Sequence, residues 1–134
     1  MKYILDTNIC IGLIRKKPPS LIKRLTECAP GDVGVSTITV AELMHGAYKS
    51  SQVEQNMSAL EQFLLPIEIV AFDQHASATY GWVRASLEKT GNMIGSMDLL
   101  IGAHALSLAT AIVTNNTGEF KRIPNLKVED WMVE

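Results

Sequence analysis

Met1-Lys2-Tyr3-Ile4-Leu5-Asp6-Thr7-Asn8-Ile9-Cys10-Ile11 opens the chain with an apolar run that stops at an acid and passes into a helix start. Tyr3, Ile4 and Leu5 read as a buried strand. Thr7 or Asn8 can cap the helix that follows, which leaves Asp6 at a strand's C-terminal edge, where open α/β sheets hold their ligands. Turn chemistry alone accounts for many aspartates in such places. What gives this one weight is that the arrangement recurs twice farther along.

Outward from that strand, the pattern predicts a helix over 8–17 with Ile9, Leu13 and Ile14 turned inward, stopped by Pro18-Pro19. A second helix is expected near 20–28 and a β-rich run over 33–36. Thr37 or Thr39 then caps a helix through Glu42 to about Tyr48. Val53, Met57, Leu60 and Leu64 fall at helical spacing within 52–65, and a strand over 67–72 follows Pro66. Asp73 caps a longer helix with Ala76, Tyr80, Val83 and Leu87 on one face, closed by Gly91. After a loop over 91–95, Ser96 begins a helix to Leu106 that is apolar almost all round and so central. Residues 111–114 read as a buried strand, 115–120 as a turn-rich stretch, and 126–128 as a last short strand. Strands alternating with helices predict an α/β fold: a mostly parallel central sheet of about four to five strands with helices on both faces.

The whole chain of 134 residues is expected to form one domain, long enough to bury most of the surface its unfolded form exposes. Hydrophobic residues make up 47% and charged residues 19%, which implies a large core and leaves apolar surface for a partner. A formal net charge of −2 gives no global pull on nucleic acid, so any RNA contact must come from local clusters such as Arg15-Lys16-Lys17. Cys10 and Cys28 lack metal spacing, and no leader-like or membrane-length apolar run accompanies them. A reducing, cytoplasmic setting is therefore expected, with no membrane partner.

Asp6, Glu42 and Asp98 share one oddity: each is set among apolar neighbours, in Ile-Leu-Asp, Val-Ala-Glu-Leu-Met and Met-Asp-Leu-Leu-Ile. Acids are almost never fully buried unless paired, and no Lys or Arg lies within a helical turn of Glu42 or Asp98. Two carboxylates about 4 Å apart repel by roughly 4 kcal/mol at an effective dielectric of ~20. Converging acids would take up protons or hold a cation, and oxygen-only donors favour Mg²⁺ or Mn²⁺ over zinc. Equally open is the plain reading of Glu42 and Asp98 as first-turn acids that favour the helix dipole. Glu119 is a fourth acid or a solvated loop residue. Thr114 and Asn116 can orient a water or an outer ligand, or belong to an ordinary turn. His45, His75 and His104 have no ligand spacing and read as core or surface residues, and Trp82 and Trp131 as packing or interface residues.

In order and spacing these residues resemble the PIN-domain ribonucleases of the VapC toxin group. The resemblance covers nearly the whole chain. It rests on Leu5-Asp6-Thr7-Asn8, Ala41-Glu42-Leu43 with Gly46-Ala47, Ile94-Gly95 and Asp98 with Ile101-Gly102-Ala103-His104-Ala105, then Thr114-Asn115-Asn116, Glu119-Phe120 and Val128-Glu129-Asp130-Trp131. It implies a PIN-like domain and an endoribonuclease dependent on Mg²⁺ or Mn²⁺, with Asp6, Glu42 and Asp98 as acidic core and metal ligands. Many relatives carry an aspartate where this chain has Asn116, which leaves Glu119 as the fourth acid. The resemblance also implies a homodimer, a VapB-type antitoxin whose C-terminal segment lies across the active-site groove in a higher-order complex, and tRNA cut in the anticodon stem-loop. Within that reading Thr7 and Thr114 hold water or phosphate, and Arg15, Lys16, Lys17, Arg84 and Lys89 offer backbone contacts to RNA. Two other readings share parts of the pattern: a non-catalytic binding module on the same fold, hinted at by Asn116, and a phosphate-accepting receiver domain with Asp6 and Asp73 at strand ends.

Overall fold

Apolar runs too short to cover themselves build a single five-stranded sheet, every pair parallel, in the order β3-β2-β1-β4-β5. The structure, a computed structural model, describes residues 1–133. The strands are β1 (Tyr3–Leu5), β2 (Val33–Ser36), β3 (Glu68–Val70), β4 (Ala111–Val113) and β5 (Lys127–Glu129). Between them run α1 (Thr7–Arg15), α2 (Pro19–Thr26), α3 (Thr37–Tyr48), α4 (Val53–Leu64), α5 (Gln74–Thr90), α6 (Ser96–Ser107) and α7 (Thr117–Phe120). Successive strand residues face opposite ways, so neighbours in sequence serve different cores. Leu5 and Val113 join α1, Val35, Leu60 and Trp131 on one face, whereas Ile4 and Ile112 pack with Val83, Leu87, Leu99, Ile101 and Phe120 on the other.

The order in which strands are added reverses at β1. Its neighbour on one side, β2, follows directly, and β4 on the other side arrives after four more helices. The crevice beyond the C-terminal ends of β1 and β4 is therefore the switch point of the sheet.

The elements fall close to the sequence pattern, with local differences that have physical causes. Asp6 itself caps α1 by accepting from Ile9 N–H at 2.9 Å, which moves the cap one residue ahead of Thr7 and Asn8. The helix ends at Arg15 because Lys16 turns left-handed at φ 61, so Lys17 lies outside it. Ser36, not Thr37 or Thr39, caps α3 and accepts from Ile38 N–H. Residues 117–120 form a helical turn where a loop was expected, with Phe120 buried as its anchor. β3 is shorter than the expected run and β5 begins one residue later. Asp73 and Gly91 do cap α5, Gly91 at φ 70.

α7 can sit against α6 only because residue 102 has no side chain. A Cβ on Gly102 would lie 2.4 Å from Ile123 Cδ1 and 3.2 Å from Phe120 Cδ1, both buried. Gly102→Val is expected to cost about 1–3 kcal/mol, the range for overpacking. Urea denaturation checks this, and an unchanged midpoint would show that α7 moves freely.

Candidate active site

β1 and β4 are paired in register through Leu5 and Val113, so the next residue on each, Asp6 and Thr114, meet just beyond the sheet edge. Asp6 N–H donates to Val113 O at 3.0 Å, which continues the ladder by one bond. The Thr114 hydroxyl donates to Asp6 Oδ2 in a short hydrogen bond. Asp6 Oδ1 is taken by Ile9 N–H, so both oxygens of this carboxylate, 3% exposed, are held. From Thr114 the network continues: Asn116 N–H donates to Thr114 Oγ1 at 2.9 Å, and Asn116 Nδ2 reaches Asp98 Oδ2 at 3.3 Å and Glu119 Oε2 at 2.9 Å. On the other side Thr7 Oγ1 donates to Glu42 Oε1 at 2.6 Å.

The strand ends β1 and β4 and the first turns of α1, α6 and α7 thus bring Asp6, Thr7, Asp98, Thr114, Asn116 and Glu119 together, with Glu42 supplied by α3. An aspartate at position 116 would have no hydrogen to donate; the amide of Asn116 bridges two carboxylates that would otherwise only repel. Sequence reasoning missed this bridging role. It also missed Arg122, whose Nη1 donates to Met93 O at 2.8 Å and braces the loop leading to Asp98.

The acids feel one another. Burial, above all, pushes the Asp98 carboxyl up to about 7, with the nearby Glu119 carboxyl next and the charge of Asp6 behind it, while the Asn116 amide pulls it down. Burial likewise raises Asp6, against the pull of Thr114 and Ile9 N–H, and the charges of Glu42 and Asp130 add to the rise. The ion pairs among the described residues are Lys2–Asp32, Arg24–Glu129 and Arg84–Glu88, so none neutralises these four acids.

An all-oxygen donor set with uncompensated charge suits a hard divalent cation, and a thiolate or imidazole is absent from its contacts. Among the described residues no three acidic, His or Cys side chains stand close enough to enclose an ion as they are. The fit therefore rests on chemistry: burial and the neighbouring Glu119 carboxyl raise Asp98, and a cation there would relieve the same repulsion.

Of the basic residues, Arg15 lines a groove of ≈ 280 Å³ between α1, α3 and α4 whose wall includes Glu42, with Ile11, Ile14, Leu43 and Leu60. Arg84 is instead engaged by Tyr80 and Glu88 on α5. Lys16, Lys17 and Lys89 are exposed and, among the described residues, bond to none of the four acids. Trp131 is buried edge-on to Tyr3 at 5.2 Å, whereas Trp82 is exposed. Asp73 is spent on capping α5 by accepting from Ala76 N–H, which removes the acid that a receiver reading needs.

Comparison with known proteins agrees with this geometry. The PIN domain family matches residues 3–126. The chain is 46% identical over 132 residues to "Ribonuclease VapC2" of Rickettsia felis, covering 98% of both chains. It is 40% identical over 131 residues to the "tRNA(fMet)-specific endonuclease VapC" of Shigella flexneri, again over 98% of both. Among solved structures it is similar to a chain of VapBC2 from Rickettsia felis bound to a promoter DNA fragment, with TM-score 0.92, 44% identity, and 98% and 99% of the two chains covered. A chain of DNA-bound VapBC from Salmonella typhimurium gives TM-score 0.93 at 38% identity over 98% of each.

Proposed function

The chain belongs to the PIN-domain family, in its VapC ribonuclease group, and from that premise we propose that it acts as a divalent-metal-dependent endoribonuclease on tRNA. It is the toxin member of a toxin–antitoxin pair, and residues 1–134 constitute one PIN domain. The observation that carries the reading is the set of four carboxylates, without a cationic partner among the described residues, at the switch point of the sheet. PIN-domain ribonucleases are generally divalent-metal dependent, and the oxygen donors here favour Mg²⁺ or Mn²⁺. The Shigella and Salmonella relatives named for tRNA(fMet) support that tRNA, cut in its anticodon stem-loop, as substrate.

Asp6 and Asp98 would hold the ion, with Glu42 bound to it directly or through water. A divalent ion supplies charge that neutralises the scissile phosphate and acidifies a water. Thr114 fixes one oxygen of the Asp6 carboxylate just beyond the strand end, and Thr7 fixes one oxygen of Glu42. Asn116 keeps Glu119 beside Asp98, where that pair can accept the proton of the attacking water. Water adds to phosphorus as the bond to the 3′ oxygen breaks, and a proton from solvent goes to the leaving oxygen, giving a 5′ phosphate and a 3′ hydroxyl.

Related structures are complexes of toxin with antitoxin, which supports a cognate VapB-type partner for this chain. The apolar groove that ends at Glu42 and Arg15 is the place for its C-terminal segment. Exposed Met44, Tyr48, Ile69 and Trp82 supply apolar surface for a homodimer and a larger toxin–antitoxin assembly. No described helix is long and apolar enough to cross a membrane, and a tRNA substrate puts the protein in the cytoplasm.

Purified, antitoxin-free protein incubated with bulk tRNA and Mg²⁺ or Mn²⁺ is expected to give discrete cuts with 5′ phosphate ends, lost with EDTA and in Asp6→Asn. Cuts confined to another RNA would discard tRNA and keep the chemistry. Cuts that survive EDTA would overturn the metal reading.

A further inference from the structure

His104 is 1% exposed in the last turn of α6, and nothing in the cleavage reaction described above uses it. An aliphatic residue would fill the same space without burying two ring nitrogens. Its Nδ1 lies 2.8 Å from Ser36 Oγ, itself wholly buried at the corner where β2 becomes α3. Ser36 Oγ already accepts from Ile38 N–H, so its hydroxyl hydrogen is free to donate to Nδ1, which places the ring proton on Nε2. Nε2 makes no well-formed hydrogen bond among the described residues, although the Ala71 backbone acts on the ring. The ring edge meets Phe72 at 5.2 Å, and Phe72 N–H donates to Thr37 Oγ1, so the residues just after β3 are tied to the same corner.

The position of this contact matters because of what each helix carries. Ser36, the cap of α3, precedes Glu42 by six residues, and His104 follows Asp98 by six on α6. In each helix that is about 9 Å of axis between the buried contact and an acid of the site. Apolar faces can slide against each other at little cost, whereas a single buried hydrogen bond selects one register.

We infer that His104 is a positioning residue of the nuclease site: its hydrogen bond to Ser36 fixes α6 on the β2–α3 corner and so sets how Asp98 stands relative to Glu42. The inference rests on the reading of those acids as the ligands of a divalent cation. Asparagine and glutamine separate the two ring nitrogens, since an Asn side chain offers an oxygen where Nδ1 is, and a Gln side chain reaches only toward Nε2.

The test is Mn²⁺ titration of metal-stripped protein by calorimetry, with unfolding midpoints measured on the same samples. His104→Asn is expected to bind Mn²⁺ within about twofold of the parent. His104→Gln and His104→Leu should bind about tenfold more weakly, the lower end of the range for residues that orient metal ligands. His104→Leu and His104→Gln should also unfold earlier than the parent, because the buried Ser36 hydroxyl loses its acceptor, so affinities are compared at a temperature where every variant is folded. Equal affinity in all three variants, or a loss in His104→Asn as large as in His104→Leu, would overturn the positioning role. A parent protein that binds no Mn²⁺ and cuts no RNA would instead remove the nuclease-site reading on which the role depends.

Discussion

Asp98→Asn is expected to abolish RNA cleavage and, in metal-free protein at pH 8, to make the fold more stable. Both effects follow from the same local charge. Asp98 sits in the first turn of α6, half-buried beside Glu119, and its carboxyl is raised to about 7 chiefly by burial. At pH 8 the fold must therefore carry an ionised carboxylate in a place that disfavours it. The helix N-terminus returns only about 0.3–1 kcal/mol of that cost. Discounted for its solvent contact, the remaining penalty is about 1–2 kcal/mol, and the amide variant is free of it. Because the folded value lies above the unfolded one, this group's stabilising contribution is complete below about pH 4 and is lost as pH rises through about 7. The stability gap between Asp98→Asn and the parent should thus open between about pH 4 and pH 7 in EDTA and stay level above that, as read from urea midpoints. Activity moves the other way: removal of one anionic donor from the phosphate site should lower the cleavage rate by about 10³-fold or more. Cleavage at the parent rate, or a stability gap that ignores pH, would show that Asp98 is an ordinary first-turn acid.

Much of this was legible because the acids break the apolar pattern. Ile4-Leu5-Asp6 and Met97-Asp98-Leu99 put charge where a core-building chain has no reason to, and in the structure Asp6 feels the charge of Glu42 while Asp98 feels those of Glu119 and Asp6. What local pattern does not encode is pairing at long range. Thr114 donates to Asp6 across 108 residues only because β4 lies beside β1, and that adjacency is a property of sheet order. The cap of α3 was illegible for a different reason: Ser36, Thr37 and Thr39 are all competent caps, and the choice depends on where β2 stops pairing with β3. α7 was read as loop because Asn-Asn-Thr-Gly favours turns, yet burying Phe120 against Gly102 is enough to hold one helical turn. Of the basic residues, exposure was readable but location was not: Arg15 borders the groove with Glu42, and Arg84 turned out to be occupied on its own helix.

Asp6→Ala and Asp6→Asn should both lose cleavage, yet they should part company in stability, because this one side chain joins the fold to the site. As a cap it satisfies Ile9 N–H, and as an acceptor it satisfies the hydroxyl of Thr114, which is wholly buried. Alanine removes both partners at once. Loss of the cap costs about 0.5–2 kcal/mol, and an orphaned buried hydroxyl about 1–3 kcal/mol. Relief from burying a charge offsets part of this, since the Asp6 carboxyl is raised by burial before anything else. A net loss of about 2–4 kcal/mol is expected for Asp6→Ala by urea denaturation. Asparagine keeps one oxygen for Ile9 N–H and turns its NH2 toward Thr114 Oγ1, which can accept from it, so its loss should be smaller than alanine's, about 1 kcal/mol. If the orphaned hydroxyl is the larger cost, Asp6→Ala with Thr114→Val should recover part of the loss, since the hydroxyl then goes with its acceptor. Asn116 N–H, which also uses Thr114 Oγ1, belongs to an exposed residue and can turn to water. A double variant that is less stable than Asp6→Ala alone would mean that Thr114 supports the strand ends through packing rather than through Asp6.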